Sequence, residues 1–196
     1  PTSFEVGVTS GAVRPGDVVV IVGAGPIGLA AIITARLLTP SAIVAVDSAP
    51  ARRDAAKRFG ADAALDPGDD VLGALNELTD GLGADVAIEA VGIPETFEMC
   101  TSLVRPGGHV ANVGVHGSPV ELHLERLWAH NITLTTRLVD TVTTPMLLKL
   151  LLSGHASACL RQLRHEGLHK GLLPLLDVIL DQPLGVAQAF EAGPAM

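Results

Sequence analysis

Three glycines near the start of the chain carry the clearest chemical signal. Gly23, Gly25 and Gly28 fit the pattern G-x-G-x-x-G, with Pro26 and Ile27 between the last two glycines. In such a motif the first glycine makes a tight turn and the second lets the backbone approach a pyrophosphate. The third permits close packing of a helix against a strand. The pattern predicts a dinucleotide site at these five residues, provided that a strand precedes it and a helix follows.

An acid at the end of the next apolar run strengthens this prediction. Asp47 lies 24 positions beyond Gly23, where a carboxylate accepts hydrogen bonds from the adenosine ribose and repels a 2′-phosphate. This favours NAD over NADP as the cofactor. Asp47 could instead only cap the helix that begins at Pro50. Arg52 and Arg53 are predicted beside the adenine, with solvated surface arginines as the alternative, and their charge weakens the exclusion of NADP slightly.

The elements that must position these residues alternate along the chain. Apolar runs predict strands at 18–22, 42–46, 63–65, 86–88, 109–113 and 132–136. Helices are predicted at 27–38, 50–59, 71–78, 94–103 and 145–152. Apolar strands that alternate with helices are typical of a parallel sheet covered on both faces. We therefore predict an α/β fold, a doubly wound six-stranded parallel sheet of the Rossmann type.

The same pattern predicts the domain organisation. Residues 1–16 form a lead-in segment, and residues 17–153 form the NAD-binding domain. Residues 154–196 form an atypical tail that is Leu-rich and His-containing.

Composition excludes several classes of protein. The chain is 48% hydrophobic and 17% charged, which rules out disorder. Only 3% of its residues are aromatic and its net charge is −8, so we expect no nucleic-acid partner. The uncharged stretch between Asp17 and Arg36 is interrupted by glycines and a proline, so no membrane span is expected. Two scattered cysteines favour a reducing, cytoplasmic setting.

Several phrases together resemble the zinc-dependent alcohol dehydrogenases of the medium-chain dehydrogenase/reductase superfamily. They are VRPGD at 13–17, VGAGPIGL at 22–29, AKRFGAD at 56–62, GLGADV at 81–86, EAVG at 89–92 and VRPGG at 104–108. Their order and spacing are more specific than the glycine motif alone. The resemblance covers roughly residues 1–154.

The resemblance implies further cofactor contacts at the ends of the later strands. In that family the loop after the fourth strand borders the cofactor, and the ends of the fifth and sixth strands approach the nicotinamide. The corresponding residues are Ala90, Val91 and Gly92, then Val113, Gly114 and Val115, and finally Leu138.

The resemblance also implies an enzyme that transfers hydride between a small alcohol or aldehyde and NAD. Its Zn²⁺ acts as a Lewis acid and is held in a separate catalytic domain, which we expect to be missing from this chain. The chain alone would then bind NAD and catalyse nothing. The alternatives are a zinc-free NAD(P)H reductase of the same superfamily and a stand-alone NAD-binding or interaction module. The tail departs from the family, either by divergence or because its sequence is aberrant.

Two histidine patterns are weaker signals. His165, Glu166 and His169 match the zinc peptidase motif H-E-x-x-H, but Gly167 weakens a helix there and the motif's extension is missing. Histidines also recur every seven residues at positions 109, 116, 123 and 130. We interpret this spacing as chance, with His116 the most plausible neighbour of the cofactor. The apolar run 132–136 is predicted as an edge strand that joins two copies of the chain.

Overall fold

The computed structural model describes residues 1–152 of the chain. Its strands are β1 (Val18–Val22), β2 (Ala42–Val46), β3 (Ala63–Leu65), β4 (Ala84–Glu89), β5 (Val104–Asn112) and β6 (Thr133–Thr136). They form one sheet in the order β3-β2-β1-β4-β5-β6, and every neighbouring pair runs parallel. The prediction of a six-stranded, doubly wound parallel sheet is confirmed. The strand order reverses between β1 and β4, and ligands of such folds bind at the carboxyl ends of the strands beside this point.

Helices connect the strands. They are a π-helix (Ser3–Thr9), α1 (Pro26–Arg36), α2 (Pro50–Arg58), α3 (Val71–Leu78), α4 (Pro94–Leu103), α5 (Leu124–Leu127) and α6 (Thr144–Leu152). A proline opens α1, α2 and α4, at the position where its missing N–H has no intrahelical partner to lose. At the start of α3, the Asp70 carboxylate accepts a hydrogen bond from the Gly73 N–H at 2.8 Å, which satisfies an amide that the helix leaves open.

The core explains why β1 is an unbroken apolar run. All five of its residues are buried, because β1 pairs with β2 on one side and with β4 on the other. Branched aliphatic side chains suit a strand that is covered on both faces. Residues Pro1–Thr141 form one compact unit that contains the whole sheet, and a second unit, to which α6 belongs, begins at Val142. No helix within residues 1–152 has the length and apolar character needed to cross a membrane.

The fifth strand begins earlier than the sequence predicts. The sequence predicts it at 109–113, whereas it spans Val104–Asn112. Val104 pairs with Ala84, and a register shift follows in the ladder. Gly107 adopts a φ of +74°, a conformation open mainly to glycine. The Pro-Gly-Gly segment, predicted as a turn ahead of the strand, is therefore an irregularity within it. The other strand limits differ from prediction by two residues or fewer.

The lead-in segment 1–16 contains a helix that the sequence does not predict. The Ser10 N–H donates to the Glu5 carbonyl at 3.1 Å, the five-residue spacing of a π-helix. Gly7 brings this helix close to β4, since a Cβ at Gly7 would lie 3.3 Å from Ile88 Cγ2. The segment is therefore part of the packed unit, and it borders the strands whose ends form the candidate site.

Candidate functional site

The glycine turn joins the end of β1 to the start of α1. Gly23 adopts a φ of +97°, and a Cβ there would lie 2.6 Å from Val91 Cγ2. A Cβ at Gly28 would lie only 1.8 Å from the Gly23 carbonyl oxygen. The sequence predicts that Gly28 permits packing of the helix against the strand. The structure shows that its tightest approach is to the turn itself, whereas the β1 side chain of Ile21 is at an ordinary 3.6 Å.

The middle glycine faces open space. Gly25 is the N-cap of α1, with φ −71° and ψ −173°, and no atom lies within 4 Å of a Cβ built on it. The first amides of a helix lack intrahelical partners and favour an anion at this end. Gly23 and Gly28 therefore shape the turn, while Gly25 leaves room beside the N-terminus of α1. A pyrophosphate fits this arrangement of residues.

Asp47 follows β2 and is buried, with 8% of its surface exposed. One carboxylate oxygen accepts a hydrogen bond from the Ala24 N–H, and the other accepts one from the Ala49 N–H, both at 2.8 Å. Asp47 therefore fastens the glycine turn to the start of α2. It is not the N-cap of α2, because Ala49 occupies that position. Each oxygen keeps acceptor capacity for a further donor, and the predicted ribose contact stays a prediction.

The two arginines on α2 differ in their surroundings. Arg53 Nη1 donates to the carbonyls of Asp47 and Ser48 at 2.8 Å and to Asp66 Oδ2 at 2.7 Å. Its guanidinium therefore links the residues that follow β2 to Asp66, which follows β3. Arg52 is more exposed, and its Nη1 lies 3.7 Å from Asp47 Oδ2. Of the two, Arg52 is the one placed to meet a ligand beside Asp47.

Apolar side chains from three loops project at the carboxyl ends of β4, β5 and β6. Val91 is 46% exposed, Val115 is 91% exposed and Leu138 is 88% exposed. All three were predicted to border the cofactor. Exposed aliphatic side chains that gather beside a polar turn are typical of a ligand or domain contact.

Two buried acids fasten these loops, and the sequence does not assign either to the site. Glu89 ends β4 with no exposed surface. Its carboxylate accepts hydrogen bonds from the N–H groups of Val91 and Gly92 at 2.9 and 2.8 Å. Its main-chain carbonyl accepts from Val113 and Gly114 at 2.8 and 3.1 Å. A single residue therefore connects the loops after β4 and β5.

Glu5 has the same function for the loop after β6. It lies in the π-helix and is 3% exposed, and its Oε2 accepts from the N–H groups of Asp140 and Thr141 at 3.2 and 3.0 Å. These residues follow Leu138 by two and three positions. The signal that could have found both glutamates is a lone acid within or at the end of an apolar run.

The histidines of the seven-residue series lie on different elements. His109 is in β5, His116 follows β5, His123 is the N-cap of α5, and His130 precedes β6. They form no common face, as predicted. Among residues 1–152 no group of three or more His, Cys, Asp or Glu side chains could hold a metal ion. His165 and His169 of the H-E-x-x-H pattern, which we interpret as a weak signal, lie outside the described residues.

A groove of about 530 Å³ lies along α4 and α5. None of the predicted cofactor residues lines it. Within it His123 Nε2 lies 2.9 Å from Glu98 Oε1, and His123 Nδ1 lies 2.9 Å from Glu125 Oε1. Hydrogen bonding from its own backbone and from His123 lowers the pKa of the Glu125 carboxyl. These contacts are surface hydrogen bonds and indicate no ligand chemistry.

Two family models and several known proteins match parts of this chain. A family model described as zinc-binding dehydrogenase matches residues 26–153. A second model, described as a probable RNA- and SrmB-binding site of polymerase A, matches residues 147–180. An alcohol dehydrogenase from Cupriavidus necator is 37% identical over 124 residues, which are 63% of this chain and 34% of that relative.

Solved structures agree with the sequence matches. A zinc-dependent alcohol dehydrogenase from Streptococcus pneumoniae has a TM-score of 0.75 at 49% identity, covering 76% of this chain and 44% of that chain. A structure from Sinorhizobium meliloti, assigned as a zinc-binding dehydrogenase and bound to NADP, has a TM-score of 0.70 at 27% identity and covers 76% and 45%. The chain thus spans about a third of the curated relative's length and under half of each structure's chain.

Proposed function

The chain belongs to the zinc-binding dehydrogenase family, and we propose that it forms the part of such an enzyme that binds NAD. The observation that carries the proposal is the turn of Gly23, Gly25 and Gly28 linked to a buried carboxylate. The Ala24 N–H between the first two glycines donates to Asp47 at 2.8 Å. The pyrophosphate would therefore bind at the glycine turn and the adenosine ribose at Asp47, and a hydrogen bond joins these two parts of the site.

The carboxyl ends of the strands divide the proposed site into two halves. The turn, with Pro26 and Ile27 at the start of α1, and Asp47 with Arg52 would hold the pyrophosphate and the adenosine. Residues 90–92, 113–115 and Leu138 would surround the nicotinamide ring, since three of these side chains are apolar and exposed. An aliphatic wall on each side of a flat ring favours its binding and excludes water.

The bound cofactor would supply hydride-transfer chemistry to an alcohol or aldehyde substrate. Residues of this chain would orient the ring and hold it in place, and we assign no catalytic side chain to them. A Zn²⁺ ion that polarises the substrate oxygen is proposed for a separate catalytic domain of the whole enzyme. The extent that we propose for the NAD-binding domain is residues 17–153.

NAD rather than NADP is the proposed cofactor. Asp47 is 8% exposed, so a 2′-phosphate beside it would face a carboxylate that solvent screens poorly. Arg52, whose Nη1 lies 3.7 Å from Asp47 Oδ2, offsets part of this charge.

We further propose a cytoplasmic location without a nucleic-acid partner. A net charge of −8 opposes binding to phosphate backbones. The family match at 147–180 covers a segment with four Lys or Arg and two Asp or Glu residues. The small excess of positive charge in this segment is the feature that would favour RNA as its partner.

Binding of NAD should raise the melting temperature of the chain. A ligand that binds only the folded state at about 100 times its Kd stabilises it by about 2.7 kcal/mol. This corresponds to a rise of several degrees, about 5–10 °C, for a chain of this size. Differential scanning fluorimetry with NAD⁺ measures the shift. An unchanged melting temperature at millimolar NAD⁺ would count against the proposed function.

The edge of the sheet should join two copies of the chain. β6 has only β5 as a neighbour in the sheet of residues 1–152, and Leu134 on it is 37% exposed. An uncovered edge offers backbone groups to another strand. Sedimentation should give a dimer, and Leu134→Lys should shift it toward monomer, with Leu82→Lys as a control because Leu82 is 65% exposed and lies ahead of β4. A monomeric mass for the unaltered chain would exclude this assembly.

A further inference from the structure

Glu89 binds three donors through one carboxylate oxygen. Besides the N–H groups of Val91 and Gly92, its Oε1 accepts the Thr96 hydroxyl at 2.7 Å. The oxygen therefore connects the loop after β4 to the first turn of α4. Through its main-chain carbonyl the same residue also binds the loop after β5. One buried residue therefore holds backbone amides of both loops.

The second carboxylate oxygen occupies space that glycine leaves free. A Cβ at Gly114 would lie 2.3 Å from Glu89 Oε2, and a Cβ at Gly92 would lie 2.5 Å from the Val115 carbonyl oxygen. The two glycines therefore let the backbone of the two loops and the carboxylate approach closely. Glu89 Oε2 is buried and has no hydrogen-bond partner, which lowers stability.

His116 lies against this unpartnered oxygen. Its Nε2 is 3.6 Å from Glu89 Oε2 and 2.8 Å from Asn112 Oδ1. The Asn112 amide donates to the Gly114 carbonyl at 3.0 Å, so its oxygen faces His116 as an acceptor and assigns a proton to Nε2. The ring packs edge-on against Phe97 at a centroid distance of 6.0 Å. The His116 ring therefore lies against both the Glu89 carboxylate and Phe97.

We propose that Glu89 and His116 are positioning residues for the nicotinamide half of the dinucleotide, an inference that rests on the proposed function. A buried carboxylate with one unpartnered oxygen is costly for the fold. The cost is explained if Oε1 must hold the amides of Val91 and Gly92 in one arrangement. Nearby, burial and then the negative charge of Glu89 raise the pKa of the Cys100 thiol, consistent with a closed apolar surrounding.

The proposal predicts an effect on one half of the ligand only. Glu89→Ala removes the acceptor of three donors, so the Kd of NAD⁺ should rise by about tenfold or more. The Kd of ADP-ribose, which lacks the nicotinamide, should change by less than about twofold. Glu89→Gln keeps an oxygen for the loop amides and should keep the NAD⁺ Kd within about threefold. His116→Ala should raise the ratio of the NAD⁺ Kd to the ADP-ribose Kd by about threefold.

Calorimetric titration of the full chain with both ligands makes the test, with Glu77→Ala on the exposed face of α3 as a matched control. If Glu89 has a merely structural role, Glu89→Ala should lower the affinities for NAD⁺ and ADP-ribose equally. That result would overturn the positioning role but leave the proposed function standing. Failure of the unaltered chain to bind either ligand would overturn the proposed function together with it. If Glu89→Ala does not fold, as judged by circular dichroism, His116→Ala decides: an unchanged ratio of Kd values rejects the proposal.

Discussion

Replacing Gly28 with alanine should lower the free energy of unfolding by about 3 kcal/mol or more. The new Cβ would lie 1.8 Å from the Gly23 carbonyl oxygen, a backbone atom that cannot rotate away. Either α1 or the glycine turn must shift, and both pack on the buried β1. The gain in helix propensity from glycine to alanine, about 1 kcal/mol, is too small to offset this. Urea unfolding followed by circular dichroism measures the loss.

Gly25→Ala is the matched control and should behave in the opposite way. No atom lies within 4 Å of a Cβ at this position, and its φ of −71° suits any residue. Stability should therefore change by no more than about 0.5 kcal/mol. The affinity for NAD⁺ should fall by about tenfold or more, because the methyl group fills the space proposed for the pyrophosphate. Equal stability of the two variants would contradict the assigned roles of these glycines.

Asp47→Ala should remove most of the preference for NAD⁺ over NADP⁺. We expect the unaltered chain to prefer NAD⁺ by at least about tenfold, and the variant to bind the two with Kd values within about threefold. We expect this loss because the carboxylate is proposed to accept hydrogen bonds from the ribose and to repel a 2′-phosphate. NAD⁺ itself should also bind more weakly, since the Ala24 N–H loses the partner that it has at 2.8 Å.

Asp54→Ala provides the comparison for charge alone. Asp54 lies on the exposed surface of α2, seven positions after Asp47, so its removal changes the net charge equally without touching the turn. Its ratio of NAD⁺ to NADP⁺ affinity should stay at the unaltered value. A ratio that changes equally in both variants would show that Asp47 acts only through long-range charge. An unchanged ratio in Asp47→Ala would show that the cofactor ribose lies elsewhere.

Start signals close to an element in the sequence help to explain which helices are predicted well. The limits of β2, β3, α3 and α4 agree with the prediction residue for residue. Proline opens α4 and an aspartate caps α3, signals that act within one turn of the chain. The π-helix escaped prediction because its apolar residues Phe4, Val6 and Val8 alternate as in a strand and show no helical spacing. The start of β5 escaped because Pro-Gly-Gly is typical of a turn.

In the site, too, residues linked by a short known spacing are predictable, whereas residues with distant partners are not. The glycine motif and Asp47 are visible in the sequence because a known spacing links them. A lone acid among apolar residues marks Glu5, but its contacts are not visible in the sequence, since its partners Asp140 and Thr141 lie 135 and 136 positions away. Glu89 ends an apolar strand much as Asp47 follows one, yet its carboxylate turns back onto its own loop. Only the fold shows that the Asp47 carboxylate fastens the glycine turn and that the Glu89 carboxylate fastens the loop after β4.

Calorimetric titration of the full chain with NAD⁺ is the most direct test of the central claim, that the turn at Gly23–Gly28 and the adjoining strand ends form an NAD site. We predict saturable binding of one NAD⁺ per chain, with NADP⁺ at least about tenfold weaker. A folded chain that shows no saturable binding of NAD⁺ would contradict the account.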